Sequence, residues 1–158
     1  MWTLLFAVAL AAPEVTTDDA GVVRGRVLVS APVDRALALV RDPKALNALS
    51  EDGSTVTTAP DGTCLKIGYA MENPIANVAY TARGCPTASG FRTDLVQSET
   101  FRSMSSEWTV RAVDGKTEIT YVYQADVAIP VPGFIIRRST QSAITKAMTR
   151  VAARLEAP

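Results

Sequence analysis

Hydrophobic and polar positions alternate with a period of two in six to seven short runs between residues 21 and 127, then change to a period of 3.6 up to Glu156. The first pattern predicts strands and the second an amphipathic helix. Gly21–Ala31 is the first strand, with Gly25, Val27 and Val29 on one face. Pro32 then opens a short helix, since its missing N–H costs nothing there. Val33, Ala36, Leu37 and Val40 follow at helical spacing. Asp42-Pro43 breaks this helix, and Lys44–Leu49 reads as a second short one. Further strands are expected at Thr55–Ala59, Thr63–Met71, Val78–Cys85, Phe91–Glu99, Met104–Val113 and Glu118–Val127.

Two of the connections set a register. Asp114-Gly115 is a two-residue hairpin signal. It turns Met104, Ser106, Trp108 and Val110 inward, together with Ile119, Tyr121, Tyr123, Ala125 and Val127. It places Arg111 opposite Glu118 and Thr109 opposite Thr120 on the wet face, both favourable cross-strand pairs. Asn73-Pro74 interrupts the earlier alternation. A hairpin folded about the midpoint between Pro74 and Ile75 brings Cys64 opposite Cys85, within disulfide range. The pair is expected to be bonded, with two free thiols as the alternative. The same register turns Leu65, Ile67, Tyr69 and Met71 inward, facing Val78, Tyr80 and Ala82. For Phe91–Glu99 the face carrying Phe91, Thr93 and Leu95 is taken as the inner one.

Ile129-Pro-Val-Pro-Gly133 cannot continue a central strand. Beyond it, Ile144, Ala147, Met148, Val151 and Leu155 form one stripe of the closing helix, and Lys146, Arg150 and Arg154 lie four apart on the other side.

The first twelve residues, MWTLLFAVALAA, are almost wholly apolar but too short for a bilayer, which needs about 20. Ala9-Leu10-Ala11 fits a small-x-small cleavage pattern. Residues 1–11 are read as a secretory signal peptide although no Lys or Arg precedes them; a buried N-terminal segment is the alternative. Residues 12–20 are read as a flexible lead-in, and 21–158 as one domain. Export to the periplasm or outside would suit the disulfide.

Composition narrows the function. Of 158 residues 47% are hydrophobic, enough for a core, and 16 basic side chains balance 16 acidic ones. A nucleic-acid binder needs a basic excess or patch, so none is expected as a partner. There is no histidine, hence no Ser-His triad and little basis for a metal site. No cofactor is expected, no catalytic residue is assigned, and enzymatic activity is the lesser expectation.

The opening VLVSAPVDRALALVRDPKALNAL is similar to the start of the START-like (SRPBCC) superfamily. The closing DVAIPVPGFIIRRSTQSAITKAMTRVAARLE resembles its proline-rich entry to a final helix. The resemblance spans roughly residues 21–157 and its motifs are loose. It implies an α+β helix-grip fold: a curved antiparallel sheet of about six to seven strands, two short helices after the first, and a long C-terminal helix across the sheet. It implies also a deep pocket for a lipid, sterol, quinone intermediate or polyketide.

The residues themselves point the same way. Gly25, Ala82, Ser106, Ala125, Ala143 and Ala147 are too small to fill the space between sheet and helix. Four tyrosines face inward, and each buried hydroxyl needs a partner. Mostly apolar walls with a few converging polar groups describe a small-molecule site. Tyr69, Val78, Tyr80, Leu95, Ser106, Trp108, Tyr121, Tyr123, Ala147 and Val151 are the expected ligand contacts. Phe134, Ile135, Arg137 and Arg138 at the helix entry are candidates for transient contact with an anionic membrane; a packed helix start with solvated arginines is the alternative. The expected function is binding, and transport, of a hydrophobic small molecule by a monomer. Its rivals are a cofactor-free polyketide cyclase or aromatase, with Arg92 or Arg102 entering the site if that strand has the opposite register, and a scaffold with a filled core.

Overall fold

The computed structural model describes residues 11–72 and 77–158. Eight antiparallel strands form one sheet in the order β1-β2-β8-β7-β6-β5-β4-β3. They are β1 (Glu14–Thr17), β2 (Val23–Val29), β3 (Thr55–Asp61), β4 (Cys64–Met71), β5 (Val78–Thr87), β6 (Gly90–Ser98), β7 (Phe101–Val113) and β8 (Lys116–Val127). Two short helices, α1 (Val33–Val40) and α2 (Pro43–Ala48), follow β2, and α3 (Gly133–Glu156) ends the chain. This is the helix-grip arrangement.

Local chemistry explains the boundaries. The Asp42 carboxylate accepts from the Ala45 N–H at 3.1 Å and Pro43 begins α2, so residues that end α1 also start α2. Asp114 and Gly115 both have positive φ, 49° and 76°, the requirement of the tight turn that matches strand twist. That turn fixes Arg111 against Glu118, Thr109 against Thr120 and Trp108 against Tyr121, as the alternation predicts. The β4–β5 register pairs Leu65 with Gly84 and Met71 with Val78, and Cys64 and Cys85 are bonded with their Cα atoms 4.3 Å apart. The turn centre about Pro74 and Ile75 lies outside the described residues, as do residues 1–10 of the leader.

The core lies beneath the C-terminal half of α3. Val23, Val27 and Val29 of β2 and Ile119 of β8 meet Ile144, Met148, Val151, Ala152 and Leu155, with Ala36 and Val40 closing one end. Gly25 has no side chain because Met148 needs the place: a Cβ there would stand 2.0 Å from the Met148 Sδ. The outer face of the sheet is laced with ion pairs. Glu118, with 4% of its side chain exposed, accepts from Arg26 and from Arg111 at 2.7 Å. Hydrogen bonds from Arg111 and then Arg26 hold its carboxyl below the usual range.

Two expectations change. Residues 14–17 are not a flexible lead-in but an eighth strand, pairing Glu14 with Arg26 and Thr17 with Val23; a four-residue polar edge strand carries no core-facing pattern to read. Ala147 leaves the buried stripe and is exposed, while Ala152 joins it.

Candidate functional site

Cross-strand rows build the inner wall. One row runs Leu65, Gly84, Thr93, Ser106, Tyr123 and Val23, and the next runs Pro86, Phe91, Trp108, Tyr121 and Gly25. Farther along, Tyr69 faces Tyr80. The large rings therefore stand at the flanks, with Thr93 and Ser106 between them. Tyr69 stacks on Tyr80 at 4.8 Å, and Tyr80 meets Phe101 edge-on at 5.8 Å. Opposite, Trp108 leans on Tyr121 at 4.3 Å and Tyr121 lies 6.5 Å from Tyr123. Between these two aromatic groups and α3 is a hollow of about 420 Å³. Among the described residues, no side chain fills this space.

The small residues do not all contribute to this space. Met148 fills the Gly25 notch, and Phe91 with Ile67 fills the one at Gly84. Ala82 is fully buried. Ser106, Ala143 and Ala147 line the hollow itself, and Ala125 lines its opening near the start of α3. Of the expected ligand contacts, Tyr69, Val78, Tyr80, Ser106, Trp108, Tyr121, Tyr123 and Ala147 line the hollow. Leu95 does not. It keeps the parity of Phe91 and Thr93 and pairs with the buried Ala82, but it lies beyond Asp94, where the β6–β7 pairing has ended. Val151, 2% exposed, belongs to the packed core and borders only a side opening.

Phe101 was missed as a wall residue. An extra residue in β7 shifts the register between Phe101 and Ser103, so Phe101 faces inward although its position number has the wrong parity. Leu46 from α2, Ser50 and Asp52 from the connection that follows it, and Val56 of β3 also line the hollow. Their only sequence signal is the helical spacing of Leu46.

The electrostatics are those of a neutral interior. Asp52, at the rim, is the only charged side chain among the described lining residues. Burial raises its pKa, but hydrogen bonds from Ser50 and Ser54 outweigh burial and hold the carboxyl below its ordinary value. Burial pushes all four tyrosines upward. Tyr80 and Tyr123 rise well beyond the usual phenol range, with neighbouring tyrosines adding to the effect. For Tyr121 the Ser106 hydroxyl partly offsets burial, and for Tyr69 the charge of Asp52 adds to it. The Tyr69 hydroxyl donates to the Met71 sulfur at 3.6 Å. Among the described residues, Tyr80 and Tyr123 donate to no protein atom. Arg92 and Arg102 stay on the outer face, bound to Asp94 at 3.0 Å and to Asp126 at 3.2 Å. No arginine is among the described residues that line the hollow.

The hollow adjoins two openings. One, between α2 and α3, is edged by Glu51, Asp52, Lys146 and Arg150. The other, under the start of α3, is edged by Ile129, Val131, Ile135, Ile136 and Arg137, and shares Val78, Phe101 and Tyr123 with the hollow. The candidate membrane residues sit there. Phe134 is 72% exposed, Ile135 is half-buried and Arg138 is exposed. Arg137 donates to the Asp19 carbonyl at 3.4 Å. Among the described residues no helix is long and apolar enough to cross a membrane.

Solved structures share this architecture. A START superfamily protein from Mycobacterium smegmatis superposes with a TM-score of 0.69 at 17% identity, covering 85% of this chain and 97% of that one. The STAR-related lipid transfer protein from Xanthomonas axonopodis gives 0.68 at 15%, covering 92% and 99%. The Zhui aromatase/cyclase from Streptomyces sp. R1128 gives 0.63 at 14%, covering 82% and 90%. No curated protein matches the sequence significantly. Similarity this low supports the fold alone. The sequence itself carries the assignment: residues 20–157 match the family described as polyketide cyclase / dehydrase and lipid transport, and the chain belongs to that family.

Proposed function

We propose that this protein binds and carries an uncharged hydrophobic molecule bearing a hydroxyl or carbonyl oxygen, of the lipid, sterol or quinone class, in the hollow beneath α3. The observation that carries this reading is the lining: apolar and aromatic walls, two tyrosine hydroxyls without a described protein acceptor and, among the described residues, no charge except at the rim. The driving force is removal of ligand surface from water, about 25 cal/mol per Å² of apolar area. A volume near 420 Å³ equals about fourteen waters at ~30 Å³ each, room for a fused-ring system or an isoprenoid chain. Tyr80 and Tyr123 donate hydrogen bonds to the ligand oxygen. A buried carboxylate would find no cation there, which disfavours a fatty acid anion.

The alternative is cyclisation of a polyketide by pocket shape and tyrosine acids. A general acid works best with a pKa near the working pH, and burial moves these phenols away from it. Carriage is therefore favoured over catalysis. In this reading the chain is exported as a monomer, through its leader, and its disulfide forms in the oxidising compartment.

The test is uptake of Nile red, a neutral hydrophobic dye, followed by competition with cholesterol, a short-chain ubiquinone and oleate at neutral pH. The neutral oxygen-bearing competitors should displace the dye and oleate should do so poorly. An absence of dye uptake, together with no small molecule in native mass spectra of protein from its own host, would falsify the proposal.

A further inference from the structure

The charges are unevenly shared. Five of the sixteen basic residues and one of the sixteen acidic ones lie on α3, so this helix carries +4 and the rest of the chain −4. On the sheet every strand arginine is neutralised. Arg24, Arg26, Arg83, Arg92, Arg102 and Arg111 each place a nitrogen within 3.2 Å of a carboxylate oxygen. On α3 that pairing stops: Arg150 approaches Glu51 at 3.5 Å, whereas Arg137, Arg138, Lys146 and Arg154 have no carboxylate partner among the described residues. Two of these unpaired cations sit beside Phe134, the most exposed large hydrophobic residue described. Arg137 also borders the apolar opening formed by Ile129, Val131, Ile135 and Ile136.

We propose that this end of α3 docks on an anionic lipid bilayer. Phe134 enters the headgroup–acyl boundary, Arg137 and Arg138 engage lipid phosphates, and the opening beneath them faces the acyl phase. Cations in the first turn oppose the helix dipole; anionic headgroups supply the countercharge that the protein withholds here and provides to every strand arginine. A bilayer, rather than an acidic protein, fits because Arg137 lies on an apolar rim that shares Val78, Phe101 and Tyr123 with the hollow. A hydrophobic guest leaving by that rim needs an apolar phase to enter. The inference rests on the carrier reading and names the surface at which loading and release occur.

Co-sedimentation of the full chain with phosphatidylcholine vesicles, and with vesicles one-third phosphatidylglycerol, tests it at low and high salt. Binding is expected only to the anionic vesicles and should weaken as salt rises. The Arg137→Glu, Arg138→Glu double variant should bind at least about tenfold more weakly, and Phe134→Ala should also bind more weakly, while both variants take up Nile red from solution like the parent. No binding to anionic vesicles at low salt, or equal binding by the double variant, overturns the docking surface while leaving the carrier reading intact. Salt-sensitive vesicle binding by a chain that takes up no dye overturns the carrier reading and leaves the docking surface standing.

Discussion

The two halves of α3 are held in opposite ways. From Ile144 onward the helix is built into the protein: five residues are buried, Met148 occupies the space a Gly25 side chain would fill, and the end is tied down. The Arg35 guanidinium donates to the carbonyls of Arg154, Leu155 and Ala157 at 3.0–3.2 Å, and the Ser30 N–H donates to the Glu156 carboxylate. A cation on the last carbonyls also suits the helix dipole. From Gly133 to Ala143 no residue is buried. This half is attached mainly to the edge strand β1 and the turn after it, by Thr17 to Gln141, Gln141 to the Val15 carbonyl and Arg137 to the Asp19 carbonyl. One helix therefore serves as anchor at its end and cover at its start. The cover is the half with little apolar surface to lose on moving, which is where local opening has its lowest cost.

The largest expected effect tests the anchor. Met148→Ala should lose about 2–5 kcal/mol in chemical denaturation, from lost burial and the cavity left behind. Phe134→Ala on the cover should stay within about 0.5 kcal/mol of the parent. Equal losses at the two sites would abolish the distinction. Arg35→Ala should cost about 1 kcal/mol and increase amide hydrogen exchange in the last turn of α3, leaving residues 135–142 as they were.

Acid should reach the floor before the cover. Glu118 joins β2, on which the anchored half rests, to β7 and β8 through Arg26 and Arg111. Its folded-state pKa is lowered, so its contribution is present above the unfolded value of about 4.3 and is lost as pH falls through the folded value. Thermal unfolding scans should show a steepening loss of Tm below about pH 4.5, and Glu118→Gln should flatten part of that slope. A variant with the parent's pH profile would remove Glu118 from this account.

The anchor was far more legible in the sequence than the cover. Ile144, Met148, Val151 and Leu155 keep a helical period because burial enforces it, and Asp114-Gly115 or the Cys64/Cys85 spacing transmits register through simple counting. β1 stayed hidden: it is four residues long, polar, and holds the cover by hydrogen bonds that leave no period. Phe101 escaped because a single-residue irregularity in β7 changes which parity faces the hollow, and no residue type announces it. Leu95 keeps its expected parity but lies past Asp94, where the β6–β7 pairing has ended. The meaning of small residues was equally ambiguous. Gly25 and Ser106 look alike as gaps in an inner row, yet Met148 fills one and no described residue fills the other. Whether a gap is a notch or a cavity depends on the element that crosses it.

The smallest change in stability should come where binding changes most. Tyr80 lies under the cover half, stacked on Tyr69, with no described acceptor for its hydroxyl. Tyr80→Phe removes no described protein hydrogen bond and should leave the denaturation midpoint nearly unchanged. With a carbonyl-bearing guest, the same substitution removes a buried hydrogen bond worth about 0.5–1.5 kcal/mol, a two- to twelvefold loss of affinity for the best neutral competitor of Nile red. The tyrosinate absorbance checks the premise independently. Burial raises the folded-state pKa of Tyr80 and its neighbours. The stability they contribute is therefore complete below the unfolded value of about 10 and lost as pH climbs beyond it. Ionisation should lag behind free tyrosine and then appear together with alkaline unfolding. Phenols that titrate freely near their ordinary value in the folded protein would mean that the hollow is open to bulk water, and α3 would then cover nothing at its start.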